Sequence, residues 1–427
     1  MAPYRVLVVD DSAFMRKLIS DLIGHNSIFS VVATASTGKE ALEMTKRHKP
    51  DVITMDLEMP EMNGLEALQL IMRIQPTPVI MLAGISEEVT RATISALQHG
   101  AFDFIRKPSK SNVVEDVGMQ LQEKLLLAVQ TFRRNAYSSV FDTTGVSKPP
   151  AAPKKASGSN KPEISKSQAP KVKVSGPSEI PGVQERHISP DVQTTRTARA
   201  GADKTPKETA NLPMEKKAVV SSVLPVVKEQ SGKFRDLVAV GTSTGGPRAL
   251  YQLLTTLPEQ FPAPVLVVQH MPPKFTKSLA QRLDTQCRLH VTEAVHGERV
   301  KSGIVYIAPG GYHMELDKDE GGFIIRLSDR EPRNSHRPSV DVMFESLLPF
   351  KELRRHTVIM TGMGNDGTRG MKALTEQGIE SAIAEAEETC VVFGMPRSAI
   401  EGGGAKTVLP VDQIGAHLIE AVNRSKV

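Results

Sequence analysis

The chain has 427 residues, enough for about two or three domains, with 53 Lys/Arg against 48 Asp/Glu for a formal charge of +5. Residues 141–230 hold 15 of those Lys/Arg and 9 of the Asp/Glu, so the rest is close to neutral, which argues against a basic nucleic-acid-binding domain. No run approaches the ~18 apolar residues of a membrane span, the first apolar run is cut by Asp10 and Asp11 and is no signal peptide, and two cysteines, Cys287 and Cys390, are too few for a disulfide framework or zinc cluster; the expectation is a soluble cytoplasmic protein with no membrane insertion.

In chain order, residues 6–9, 31–33, 52–55, 79–82 and 102–105 are β-branched-rich runs bounded by Asp, Gly or Pro, and each reads as a strand. Between the first two, Phe14, Leu18, Leu22 and Ile23 recur at helical spacing before Gly24. Val114, Val117, Leu121 and Leu125 mark a last helix in the same way. This strand–helix alternation over residues 1–135 predicts a doubly wound sheet of five parallel strands.

Ligands bind such sheets beyond the carboxyl ends of the strands. There Asp10 and Asp11 end the first strand, Asp56 the third, and Lys107, followed by Pro108, the fifth. Three carboxylates in one pocket repel unless a hard divalent cation sits among them, and Mg2+ prefers such oxygen ligands. A lysine beside them suits an incoming phosphoryl group, so the implied chemistry is attack by a carboxylate on phosphorus. Any one of these acids could simply cap a helix; acids and a Lys-Pro on three separate strand ends favour a functional pocket.

From Asp142 to Gln230 there is no aromatic residue, while Pro, Ser, Thr, Lys and Ala dominate. Such a segment cannot bury enough apolar surface to offset its chain entropy. Residues 136–232 are therefore expected to form a disordered tether spanning ~50 Å, with the apolar stretch 223–227 as a candidate docking segment.

Residues 233–427 alternate again, with longer irregular inserts. Residues 237–240, 265–269, 305–308 and 358–361 read as strands, 247–257 and 371–377 as helices, and 323–328 as a marginal antiparallel strand. The first strand runs into Gly-Thr-Ser-Thr-Gly-Gly-Pro at 241–247. Dinucleotide binding would need Gly at Ser243 and an acid where Gln269 and His270 stand. The nucleophile-elbow formula does match, with Gly241, Ser243 and Gly245, but its usual fold orders the triad Ser, acid, His. Here His270 ends the next strand and Asp366 lies in a Gly-rich loop after residues 358–361, so parallel strands would bring Ser243, His270 and Asp366 to one edge. That is a Ser-His-Asp hydrolase, with oxyanion donors from main-chain N–H groups of the two Gly-rich loops. On spacing alone His313 and His336 compete with His270, and Asp366 could be a turn residue. Cys390 precedes an apolar run and is expected to pack.

The first 130 residues resemble the receiver domain of two-component response regulators. The strings GTSTGGP, QHMPPKFTKSLAQRL, IAPGGYHMEL, RPSVDVMFESL, TGMGNDGTRGM and CVVFGMP closely resemble the catalytic domain of chemotaxis protein-glutamate methylesterases, the CheB family. The resemblance implies that Asp56 is the phosphoacceptor, that Asp10, Asp11 and Asp56 with the backbone carbonyl of Glu58 hold Mg2+, and that Lys107 contacts the phosphoryl oxygens. It also implies Ser243, His270 and Asp366 as the triad, with Thr244 and Met363 lining the site, and no cofactor for the esterase. The implied activity is demethylation of glutamate methyl esters, and deamidation of some glutamines, on methyl-accepting chemoreceptors, switched on when the chemotaxis histidine kinase phosphorylates a receiver that otherwise covers the triad. A monomer is expected. Two departures stand out. Ala83 replaces the Ser or Thr usual after the fourth strand, although Phe104 keeps the aromatic switch position. The tether looks longer than is usual, which would lower the effective concentration of the receiver at the catalytic domain and leave inhibition leaky.

Overall fold

The computed structural model describes residues 2–108, 114–142 and 234–424, with 133–142 as backbone alone. The first part alternates throughout: β1 (Tyr4–Val9), α1 (Ala13–Gly24), β2 (Phe29–Ala35), α2 (Gly38–His48), β3 (Val52–Asp56), α3 (Gly64–Ile74), β4 (Val79–Ala83), α4 (Glu87–Gln98), β5 (Asp103–Arg106) and α5 (Val114–Asp142). All five strands are parallel, in the order β2-β1-β3-β4-β5. Because successive side chains of a strand point to opposite faces, Leu7, Val9, Ile53 and Met55 join one core cluster, while Val6, Val8, Val52, Ile80 and Leu82 join another with Ile19, Leu22, Val117 and Leu121. Ser12, Thr37, Asn63 and Ser86 cap the first four helices by accepting first-turn N–H bonds, Asn63 within a full capping box with Glu66.

One helix is rotated relative to expectation. α1 buries Ile19, Leu22 and Ile23, while Phe14 is 72% exposed. Five residues separate Phe14 from Ile19, which places them about 140° apart around the helix, so the more apolar cluster at 19–23 takes the core. The helix α5 continues to Asp142, past the expected boundary at residue 135. Beyond it, the expected tether and its 223–227 stretch lie outside the described residues.

The second part is built of β6 (Asp236–Thr242), α6 (Gly246–Leu254), β7 (Val265–Gln269), α7 (Phe275–Asp284), β8 (His290–Glu293), β9 (Ile304–Ile307), β10 (His313–Asp319) and β11 (Gly322–Ser328). It continues through α8 (Val340–Glu345), β12 (Arg354–Ile359), α9 (Thr368–Glu376), β13 (Ser381–Glu385), α10 (Met395–Glu401), β14 (Thr407–Leu409) and α11 (Val411–Asn423). Seven strands form one parallel sheet in the order β14-β13-β12-β6-β7-β9-β8. The expected marginal strand at 323–328 belongs to a separate antiparallel hairpin with β10. Chain order reverses at β6, which has β7 on one side and β12 on the other; such a switch point opens a crevice at the carboxyl ends of the strands.

The two sheets meet through α4, which lies against α6 and α7. Thr90 Oγ1 and Ser278 Oγ are 2.7 Å apart in a buried contact, and Arg282 Nε donates to Gln98 Oε1 at 3.0 Å. Phe104 of β5 stacks on Phe275 of α7 with ring centroids 4.5 Å apart. No helix among the described residues is long and apolar enough to cross a membrane.

Candidate active site and acidic pocket

The acidic pocket forms where β1, β3 and β5 end. Asp10 and Asp56 are buried and Asp11 is exposed, and one carboxylate oxygen from each lies within 4.8 Å of the others. Lys107 Nζ sits 2.8 Å from Asp10 Oδ2 and 2.7 Å from Asp56 Oδ2. Asp10 Oδ1 accepts from Ser12 N at 3.0 Å and Asp56 Oδ1 from Leu57 N at 2.8 Å, so the capping-type contact exists alongside the cluster. Burial pushes the Asp56 carboxyl above its ordinary range, against the opposing pull of Lys107. Burial acts to lower Lys107, but its bonds to Asp10 and Asp56 win and hold its ammonium above the usual value. Asp11, Leu57 and Glu58 line one cavity beside this cluster. The donor set, hard oxygens from three carboxylates around a single ammonium, fits a small divalent cation. At the end of β4, Ala83 is buried and offers no hydroxyl.

The second cluster forms at the switch point. Ser243 follows β6, and its backbone is held on both sides: its N–H donates to Thr361 O at 3.0 Å, and its carbonyl accepts from Gln269 Nε2 at 2.9 Å. Small residues are needed around it. A Cβ on Gly362 would come 2.8 Å from Ser243 Cβ, and one on Gly246 would collide with Gln269 Oε1. Gly245, at φ 83°, starts α6 in the left-handed region, which favours glycine.

His270 is brought to the same edge by β7, its N–H bonded to Thr242 O at 3.1 Å. Its Nε2 lies 2.8 Å from Asp366 Oδ2, and its Nδ1 is buried with no hydrogen-bond partner. Asp366, after β12, is 1% exposed yet accepts five bonds. His270 Nε2 and Val340 N (2.7 Å) take Oδ2; Ser339 Oγ (2.9 Å), Asn334 Nδ2 (2.9 Å) and Asp341 N (3.2 Å) take Oδ1. Burial alone would raise its pKa, but the bond and charge of His270 and the donors from Val340 and Asn334 hold the carboxyl far below the usual range. An ionised Asp366 can only accept, so Nε2 of His270 carries a proton, and in the neutral ring the lone pair then lies on Nδ1.

The geometry sorts the competing histidines. His313 spends both ring nitrogens on backbone, accepting from Ser339 N at 3.2 Å and contacting Glu331 O at 3.1 Å. His336 stacks on His270. Met363 is 38% exposed beside Gly362. Thr244 is 8% exposed, and its hydroxyl donates 2.7 Å to Asp103 Oδ2 at the start of β5, an oxygen that Lys124 also approaches at 2.8 Å. Cys390 packs as expected, with Sγ 3.8 Å from Glu385 O. Two N–H groups of the Gly-rich loops are spent: Ser243 N–H on Thr361 O and Gly362 N–H on Val392 O. Sequence reasoning missed Asn334, Ser339 and Asp341; the only signal was Ser339 ahead of a helix, as a cap.

What the fold and these two strand-end clusters define is a response regulator whose output is an α/β enzyme domain. The family descriptions agree on both halves: residues 6–117 match "Response regulator receiver domain" and residues 238–418 match "CheB methylesterase". The chain is 39% identical over 422 residues to the protein-glutamate methylesterase/protein-glutamine glutaminase of Geobacillus kaustophilus, covering 99% of each. It is 40% identical over 420 residues to the protein of that name from Thermotoga maritima, covering 98% of each. The crystal structure of the Thermotoga maritima CheB methylesterase catalytic domain is 49% identical, with 43% of this chain and 97% of that one covered and a TM-score of 0.42. The chain belongs to the protein-glutamate methylesterase/protein-glutamine glutaminase family.

Proposed function

We propose that the protein is a phosphorylation-activated serine hydrolase that removes methyl groups from glutamate methyl esters, and deamidates some glutamines, on methyl-accepting chemoreceptors. The observation that carries the reading is the 2.8 Å contact between His270 Nε2 and an ionised, five-fold-bonded Asp366 at the edge where Ser243 emerges. Ser243 Oγ attacks the ester carbonyl and His270 Nδ1 takes its proton. Asp366 keeps the ring in the Nε2–H tautomer and stabilises the imidazolium. That imidazolium returns the proton to the departing methoxide, which leaves as methanol, or to the amide nitrogen of a glutamine, which leaves as ammonia. Water, deprotonated by the same nitrogen, then frees the glutamate from Ser243. With Ser243 and Gly362 N–H engaged elsewhere, the oxyanion falls to the remaining N–H groups of the two loops around Thr244 and Met363.

Asp56 is the phosphoacceptor on this reading, with the chemotaxis histidine kinase as donor and Lys107 holding the phosphoryl oxygens. Asp10, Asp11, Asp56 and the Glu58 carbonyl would hold Mg2+, which would supply charge neutralisation to the phosphoryl group; the esterase uses no cofactor. The unphosphorylated receiver restrains the enzyme, supported by its contacts with α6, α7 and Thr244. The organisation is a receiver (1–135), a tether (136–232) and a catalytic domain (233–427), acting as a cytoplasmic monomer.

The test is methanol release from methylated receptor membranes, with and without a small phosphodonor and Mg2+. Release should vanish in Ser243→Ala and should rise with phosphodonor only when Asp56 is present. Undiminished release from Ser243→Ala would sink the hydrolase assignment, and release indifferent to Asp56 would sink the switch.

A further inference from the structure

Residues 333–341, from the connection after β11 into the first turn of α8, approach the catalytic cluster. Arg333 and His336 exchange backbone hydrogen bonds of 3.0 and 2.9 Å, closing a turn whose two central residues, Asn334 and Ser335, both sit at positive φ (52° and 63°). Asn tolerates that region, but Ser is disfavoured there, so the turn persists because something else over-determines it. Asn334 Nδ2 does so by donating to Asp341 Oδ2 at 3.0 Å and to Asp366 Oδ1 at 2.9 Å. A conformation costly to the backbone is thus tied to the carboxylate that holds His270.

What the turn delivers is the face of the His336 ring. It lies on the His270 ring with centroids 3.8 Å apart and planes within 13°. Compare the buried structural histidines. His313 engages both nitrogens with backbone, and His356 engages both with Ser381 Oγ (3.0 Å) and Asp236 Oδ1 (2.9 Å). His336 instead leaves Nδ1 buried without a hydrogen-bond partner, and it meets His270 with its ring face. Burial, and then the neighbouring His270, lower its pKa to about 4, so it is neutral at working pH.

His270 needs such a partner. Its ring has one hydrogen bond, through Nε2, and one bond fixes an atom without fixing a plane. The torsion that swings an imidazole about its stem is broad. We propose that His336 is a positioning residue for ester hydrolysis: its ring, stacked on His270, holds that imidazole in the plane that keeps Nδ1 ready to exchange a proton with Ser243 while Nε2 stays on Asp366. The inference rests on the hydrolase reading above. A neutral aromatic face also favours the cationic ring formed when Ser243 gives up its proton.

The experiment uses the full-length protein and methylated receptor membranes, with Ser243→Ala alongside. His336→Ala should lower kcat about 10- to 100-fold, as a loosened catalytic geometry does, with KM within about two-fold. His336→Phe, which keeps the plane and has no ring nitrogen, should recover most of that loss. In 15N spectra His270 should show a single Nε2–H tautomer in wild type and a mixture in His336→Ala. Wild-type kcat in His336→Ala, or a Phe protein no better than the Ala protein, would overturn the proposal. Should the Ala protein not fold, the Phe protein decides: near-wild-type kcat supports the stacking role, and a collapse of kcat overturns it. Activity surviving in Ser243→Ala would instead bring down the hydrolase reading itself, so the two failures are separable.

Discussion

Two buried aspartates at the carboxyl edges of the two sheets, Asp56 and Asp366, are held in opposite ways. Asp56 has one backbone donor and one lysine, and burial wins, so its carboxyl is pushed up. Asp366 has five donors, and burial loses, so its carboxyl is held down. A carboxylate meant to receive a group must be left short of partners, because every donor it already has would need to be displaced. One meant to serve as a fixed charge is surrounded until nothing can move it. On the proposed reading, the same residue type serves as a receptor for phosphoryl or as a rigid anchor, according to how many N–H and O–H groups the fold supplies.

Neutralising the anchor should have the largest effect. Asp366→Asn should cut kcat for methanol release roughly 10^4-fold, because the amide favours the wrong His270 tautomer; phosphoryl uptake at Asp56 should be unchanged, and a joint loss would mean the two clusters are not independent. Next in size is the switch: Asp56→Asn should abolish the whole phosphodonor-dependent rise in release and leave the basal rate in place. Smaller again is the interface between them. Phe104→Ala removes an aromatic pair worth ~0.5–1.5 kcal/mol beyond its buried area, so basal release without phosphodonor should rise by up to about ten-fold; no rise would mean that docking does not limit turnover.

The smallest effect is the sharpest test of sign. Asp366 has a depressed folded-state pKa, so its stabilisation is full above the unfolded value of ~3.9 and is lost as pH falls below it. Asp56 has a raised one, so ionising it costs stability as pH rises above that same ~3.9. Urea melts at neutral pH should therefore show Asp366→Asn less stable than wild type and Asp56→Asn more stable, with both differences shrinking toward pH 3. The same sign for both substitutions would erase the distinction.

Much of this was legible in the sequence because strand ends announce themselves: apolar runs stop at Asp10, Asp56, Lys107, Ser243 and His270, and a parallel sheet gathers those positions by its topology. The helix face at Phe14 was misread because 14, 18 and 22 repeat as regularly as 19, 22 and 23, and only packing decides between them. The roles of the individual residues in 333–341 were hidden for another reason. It contributes backbone N–H groups, a short amide and a ring face, none of which has a periodic signature. Thr244 and Asp103 meet from positions 141 residues apart, a pairing no local pattern could suggest.

β5 is four residues long, about 13 Å at ~3.3 Å per residue. Asp103, at its first position, holds the hydroxyl of Thr244 beside Ser243; Lys107, just past its last, holds Asp10 and Asp56. The receiver is therefore not an interchangeable cassette. A receiver grafted from another response regulator would keep the bond to Thr244 only if its fifth strand also began with a carboxylate in reach of that hydroxyl. That bond, at the end of the strand remote from the acidic pocket, joins the contacts of α4 and Phe104 across the same interface.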